Sequence, residues 1–147
     1  MSAGFPPVTE LLPHRGRAVM LDAVLEHSEN HTVARVRIAR THPLFVAGHG
    51  VPVWAGIEFM AQAAAAHAGL NNRRFGGAPH VGMLLGTRRY QAHTDYFAEN
   101  MQLEVRAERE FGDSQGVGAC RCRISHNGQL LASATLIVVE TSEALAP

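Results

Sequence analysis

Residues 51–70 read VPVWAGIEFMAQAAAAHAGL, a run that is apolar around its whole circumference if it forms a helix. Pro52 suits the first turn, because the N–H that proline lacks would have no helical partner there. Gly69, followed by two asparagines, supplies a stop signal. About 18 residues at 1.5 Å each predict a helix of roughly 27 Å, close to the width of a small domain. A helix without a polar face must be covered by other elements.

The segments on both sides of this helix have the alternating pattern of strands. Two precede it and four follow it: residues 18–27, 31–39, 81–93, 101–111, 117–126 and 129–139. Segment 31–39 is predicted as a half-buried strand, with one face and then the other carrying these residues: Val33, Arg35, Arg37 and Ala39; Thr32, Ala34, Val36 and Ile38. Asn127-Gly128 separates the last two segments and predicts a hairpin, because both residues tolerate positive φ. The pattern predicts an α+β domain with one central helix.

Length and composition indicate one globular domain. The chain has 147 residues, of which 46% are hydrophobic and 18% are charged, which is enough to bury a core. Thirteen basic residues balance thirteen acidic ones, and the absence of a long basic run argues against a nucleic-acid partner. We expect a single domain over residues 1–147, with residues 1–16 and 141–147 less ordered.

No feature of the sequence indicates secretion or a membrane. The N-terminus lacks a basic start followed by an apolar core. The long apolar run contains Glu58, Gln62 and His67, so a buried core helix explains it better than a membrane span. Cys120 and Cys122 would share one face of a strand as reduced core residues. We therefore predict a cytoplasmic protein, and since no trio of residues has metal-ligand spacing, we predict no metal and no cofactor.

Three motifs resemble bacterial 3-hydroxyacyl-acyl carrier protein dehydratases. They are LLPHRGRAVMLDAVLEH (11–27), HPLFVAGHG (42–50) and GIEFMAQAAA (56–65). The segment VPVWAGIEFMAQ (51–62) is most similar to the subgroup associated with aryl-polyene biosynthesis. The resemblance covers most of the chain. It implies a hotdog fold, in which one antiparallel sheet wraps around the central helix and two chains pair edge to edge.

The resemblance also implies a pair of catalytic residues, with Glu58 as the helix acid and His49 as the catalytic histidine. Dehydration of a 3-hydroxyacyl thioester removes a proton from the carbon beside the carbonyl and gives one to the leaving hydroxyl. Histidine titrates near neutral pH and can take the first proton. A carboxylic acid kept neutral by an apolar wall can supply the second. Free N–H groups around Val53 and Trp54, at the helix start, would polarise the thioester carbonyl.

Two further residues complete the predicted substrate site. Gln62 follows Glu58 by four residues and shares its helix face, where it could orient the carboxylate or satisfy the backbone of a neighbouring strand. Gly56 costs the helix about 1 kcal/mol relative to alanine, so we expect a close approach of backbone or of a thin acyl chain. His14 is expected to brace the N-terminal segment. His67, two and a half turns from Glu58, is expected to pack on the opposite side of the helix.

The connection between the two predicted catalytic residues is shorter than in the family pattern, because His49 lies only nine positions before Glu58. Three functions therefore stay open. The first is a dehydratase acting on an acyl group carried by acyl carrier protein or coenzyme A. The second is a non-catalytic subunit that pairs with an active dehydratase, in a heterodimer rather than a homodimer. The third is a thioesterase in which Glu58 activates water. The short connection favours the second function, and the retained Glu58 favours the first.

Overall fold

The computed structural model describes residues 4–75, 81–112 and 117–141. Its helices are α1 (Val8–Leu11) and α2 (Gly56–Phe75), and short 3-10 turns occupy Gly16–Ala18 and Val53–Ala55. The strands are β1 (Ala23–His27), β2 (His31–Arg37), β3 (Val51–Pro52), β4 (Val81–Ala92), β5 (Tyr96–Phe97), β6 (Gln102–Gly112), β7 (Val117–His126) and β8 (Gln129–Thr141). The predicted order of two strands, one long helix and four long strands is confirmed.

Six of the strands form one antiparallel sheet in the order β1-β2-β6-β7-β8-β4, and β3 pairs with β5 in a separate two-stranded ladder. All six strands of the large sheet contact α2. The sheet therefore wraps around the helix, as an all-round apolar helix requires. This is the predicted hotdog fold.

The register of the strands follows their hydrophobic alternation. The buried faces of β2, β6 and β7 include Thr32, Ala34, Val36, Leu103, Val105, Ala107, Cys120 and Cys122. Both cysteines face the core, as predicted, and burial raises the pKa of the Cys122 thiol. His126 pairs with Gln129 across a two-residue turn in which Asn127 and Gly128 both have positive φ, which confirms the predicted hairpin.

The ends of the helix differ from the prediction. Pro52 belongs to β3, and regular α-helix begins at Gly56 after a 3-10 turn. At the other end α2 continues through Gly69 to Phe75. Gly69 is a crossing point and not a stop, because a Cβ there would lie 3.0 Å from the carbonyl oxygen of Leu11. The Asn71 side chain donates to the Glu29 carbonyl at 3.1 Å, so its amide N–H finds an acceptor while the residue stays in the helix.

The segment before β1 packs along α2 instead of joining the sheet. The first strand was predicted from residue 18 but begins at Ala23, because the backbone of Ala18 and Met20 bonds to a helix side chain, Gln62. The N-terminal part of this segment includes α1 and buries Val8, Leu11 and Leu12. The predicted C-terminal tail, beyond residue 141, lies outside the described residues. No helix within the described ranges combines the length and hydropathy that a bilayer crossing requires.

Candidate active site

The Glu58 carboxylate is held at one oxygen by two side chains. His14 Nε2 lies 3.1 Å from Glu58 Oε1, and Gln62 Nε2 donates to the same oxygen at 3.0 Å. Among the described residues, the other oxygen, Oε2, has no hydrogen-bond partner. In the single chain 42% of the Glu58 side chain and 27% of the His14 side chain are exposed. One end of the carboxylate is thus fixed and the other is open.

Gln62 ties this carboxylate to the segment before β1. It is fully buried, and its Nε2 also donates to the Ala18 carbonyl at 2.7 Å. Its Oε1 accepts the Met20 N–H at 2.8 Å. Gln62 therefore contacts the carboxylate, and the backbone groups that it satisfies belong to the segment before β1 and not, as had been expected, to a strand.

His14 reaches the site through the fold of the LPHRG segment. Arg15 Nη1 donates to the carbonyls of Leu12 at 3.0 Å and of His14 at 2.9 Å. Gly16 has a φ of 58°, which glycine adopts without steric cost. The contact joins residues 44 positions apart. His14 was expected to brace the N-terminal segment, and its contact with Glu58 was not predicted. The sequence signal that could have indicated it is Pro-His-Arg, one of the motifs that resemble the family.

The opposite side of the helix start is closed. A Cβ on Gly56 would collide with the Tyr90 hydroxyl and would lie 2.8 Å from Ile124 Cδ1. The close approach expected at Gly56 is thus made by side chains of the sheet. Tyr90 lies in an irregularity of β4, between Arg88 and Gln91, and its hydroxyl donates to the Val53 carbonyl. Burial raises the pKa of Tyr90 to about 12, so the phenol keeps its proton.

The backbone of Val53 is engaged at both ends. Its N–H donates to the Asp95 carbonyl at 2.9 Å, which extends the β3–β5 ladder by one bond, and its carbonyl accepts Tyr90. The expectation of a free N–H at Val53 was therefore wrong, and Trp54 is the remaining candidate of the two. Trp54 is 59% exposed and presents a large apolar surface in the 3-10 turn just before α2.

His49 lies on a tight turn before β3. Val46 bridges to Gly50 across this turn, and the exposed His49 ring stacks on Tyr96 with centroids 4.9 Å apart. Tyr96 belongs to the ladder beside the Gly56 side of the helix. Successive residues of an α-helix are rotated by about 100°, so Glu58, two positions after Gly56, lies about 160° from Gly56 around the helix axis. The single chain therefore brings Glu58 together with His14 and Gln62, while the His49 ring stacks on Tyr96 of the ladder.

A second histidine network occupies the other half of the helix. His67 Nδ1 and Thr32 Oγ1 are 2.8 Å apart, and Asn71 Nδ2 lies 3.2 Å from His67 Nε2. Desolvation, with smaller repulsion from His27, lowers the pKa of His67 to about 4. In the described part of the chain, no cluster of three or more His, Cys, Asp or Glu side chains could hold a metal ion.

Comparisons with known proteins agree with this architecture. The family described as "ApeP-like: ApeP dehydratase" matches residues 6–146. A chain of the dehydratase heterocomplex ApeI:P from Xenorhabdus doucetiae superimposes with a TM-score of 0.86 and 29% identity, over 93% of this chain and 92% of that chain. No curated protein sequence matched significantly.

More distant structures share the fold alone. A hypothetical thioesterase from Streptococcus pneumoniae with coenzyme A has a TM-score of 0.65 and 10% identity, over 80% of this chain and 84% of that one. The virulence protein Cj0977 from Campylobacter jejuni has a TM-score of 0.67 and 15% identity, over 94% and 89%.

Proposed function

Because the chain belongs to the ApeP-like dehydratase family, as its motifs predicted, we propose that it acts in removing water from a 3-hydroxyacyl thioester carried on acyl carrier protein. The observation that carries this proposal is the Glu58 carboxylate, which is fixed at Oε1 and open at Oε2. A positioned carboxylic acid with one free oxygen is suited to donate a proton to a leaving hydroxyl.

In the proposed reaction a base removes a proton from the carbon beside the thioester carbonyl. The electron pair forms a carbon–carbon double bond as the bond to the hydroxyl breaks. Glu58 gives its proton to that hydroxyl, which leaves as water, and the thioester stays intact. His49 is the proposed base, since a neutral imidazole can accept the proton. The Trp54 N–H at the start of the helix is the proposed contact for the thioester oxygen.

A second hotdog chain completes this site in the proposal. The exposed indole of Trp54 and the half-exposed Glu58 lie at the same end of α2, and a surface placed over them would exclude water. A dry, apolar environment favours the neutral form of a carboxyl group. His49 and Glu58 lie on different sides of the helix start, so an acyl group bound between two chains could meet both. A relative of known structure comes from a dehydratase heterocomplex, which supports a heterodimer; edge-to-edge pairing would continue the sheet.

The second candidate is a non-catalytic subunit that supports the active site of another dehydratase. The stacking of His49 on Tyr96, on the ladder away from the Glu58 carboxylate, favours it. In that case Glu58 and its neighbours would shape the partner's site without transferring a proton.

Product analysis separates these functions. The chain would be purified alone and together with a hotdog chain encoded in the same genome, and incubated with 3-hydroxyacyl thioesters of acyl carrier protein and of coenzyme A. Mass spectrometry would identify the products. The proposal predicts the enoyl thioester from the assembled protein, with loss of activity in Glu58→Gln. Full activity in Glu58→Gln would point to the supporting subunit. Release of the free acid would indicate a thioesterase, and no product from any assembly would contradict the proposal.

A further inference from the structure

The segment from α1 to Met20 lies along the helix face that carries Glu58. Glu10 pairs with Arg73 at 3.2 Å, and Leu11 crosses the helix at Gly69. Further along, the backbone at Ala18 and Met20 is bonded to Gln62. His14 lies between these attachments, so its position relative to the helix is set on both sides.

The hydrogen-bond pattern at His14 indicates which of its nitrogens carries the proton. Nε2 contacts Glu58 Oε1 at 3.1 Å. Nδ1 is buried and has no partner among the residues that the structure describes. Gln62 Nε2 donates to Glu58 Oε1, so this oxygen is an acceptor and the ring nitrogen beside it must be the donor in the His14–Glu58 contact. The arrangement therefore favours a His14 ring that carries a proton on Nε2 and donates it to Glu58.

Two donors then converge on one oxygen of the carboxyl group. Gln62 is held by two backbone groups, so its own N–H points in a fixed direction. With His14 as the second donor, Glu58 Oε1 is the accepting end of the carboxyl group. Oε2 is left to carry the proton and to face the substrate.

We propose that His14 is a positioning residue for the acid Glu58, a role that rests on the proposed function of Glu58. His14 transfers no proton itself. It acts by keeping the carboxyl group in one orientation, because a misplaced acid loses much of its effect even when it is chemically intact.

The test uses His14→Ala, which removes the donor, and His14→Gln, which places an amide N–H near the position of Nε2. The matched control is His31→Gln, because His31 Nε2 makes a similar contact with Glu26 Oε1, at 2.9 Å on the β1–β2 hairpin. The assembled protein would be assayed with 3-hydroxybutyryl and 3-hydroxydecanoyl thioesters of acyl carrier protein, and thermal unfolding would verify that each variant is folded.

The free energy lost with a hydrogen bond to an ionisable group corresponds to a roughly 10- to 100-fold change in rate. His14→Ala should lower kcat by about that factor while KM changes little, and His14→Gln should recover most of kcat. His31→Gln should leave both constants unchanged. Equal losses in His14→Ala and His14→Gln would contradict positioning, because the imidazole itself would then be required. A rise in KM at constant kcat would also contradict it.

A second readout does not depend on turnover. In protein labelled with carboxyl-¹³C glutamate, the Glu58 signal can be assigned through Glu58→Gln. His14→Ala should shift this signal and His14→Gln should restore most of it, whereas His31→Gln should leave it in place. An unmoved signal in His14→Ala would overturn the contact. If the unmutated protein were inactive on all thioesters, the proposed function would fail while this measurement still decided the role of His14 in orienting Glu58.

Discussion

Two histidine networks lie on opposite sides of helix α2, and they differ in what they leave free. Around Glu58, His14 and Gln62 share one carboxylate oxygen, and the other oxygen is open at a half-exposed position. Around His67, both ring nitrogens contact a neighbour, Thr32 or Asn71, and the side chain is buried. The Glu58 carboxyl group keeps one oxygen without a partner at a half-exposed position, whereas the His67 ring is buried with both nitrogens engaged. Polar residues on one apolar helix thus lie in two different environments, one half-exposed and one buried.

The largest effect on stability is expected at the closed side of the helix start. Gly56→Ala places a methyl group against the Tyr90 hydroxyl and Ile124, and overpacking of this kind should lower the free energy of unfolding by about 3 kcal/mol. Urea denaturation measures the change. Gly86→Ala is the control, since a Cβ there has no atom within 4 Å among the described residues, and it should change stability by less than about 0.5 kcal/mol. Equal stability of the two variants would show that the helix start is loosely packed.

A smaller loss is expected when the attachment of the N-terminal segment is removed. Gln62→Leu preserves approximate volume but leaves the Ala18 carbonyl and the Met20 N–H without their partner, at a cost of about 2 kcal/mol. Gln91→Leu changes an exposed glutamine in the same way and should have little effect. Hydrogen exchange should also quicken at Met20 in Gln62→Leu. Unchanged exchange there would mean that Gln62 does not hold the segment.

The pH dependence of stability sharpens the contrast at the His67 network. The pKa of His67 is lowered to about 4 in the folded protein, mainly by desolvation, with further lowering by His27, Arg109 and His31 and an opposing contact with the Glu29 carbonyl. In the unfolded chain histidine titrates near 6.5, so below that pH the unfolded state binds the extra proton first. Stability should therefore fall as pH drops from about 6.5 to 4, by on the order of 1–2 kcal/mol.

His67→Gln should remove most of this acid sensitivity, which denaturation at a series of pH values would measure. His126→Gln is the control, because His126 lies at the hairpin and, among the described residues, its side chain hydrogen-bonds only with the Gln102 carbonyl and Asn127. An identical pH dependence in His67→Gln and the unmutated protein would assign the acid sensitivity to other groups.

Much of the fold could be predicted from the sequence because the strand segments alternate with a period of two, whereas residues 51–70 form one long apolar run. The end of the helix could not, since Gly69 carries a local stop signal but serves a distant contact with Leu11. Glu58 and Gln62 could be placed on one face of the helix because they are four positions apart. The contact with His14 was not predictable from spacing, because it depends on the path of a segment 44 residues away. The hydrogen bond from the Val53 N–H was not predictable for the same reason, because its acceptor is the carbonyl of the distant Asp95, next to the short β3–β5 ladder.

The most direct test of the proposed acid role of Glu58 compares two glutamates that each contact a histidine. Glu58 contacts His14 at 3.1 Å, and Glu26 contacts His31 at 2.9 Å. Turnover of 3-hydroxyacyl-acyl carrier protein by the assembled protein would be measured for Glu58→Gln and Glu26→Gln. A general acid contributes about 100-fold or more, so Glu58→Gln should lose at least that factor in kcat, while Glu26→Gln should stay within about 2-fold of the unmutated protein. Undiminished dehydration by Glu58→Gln would contradict the assignment of Glu58 as the acid.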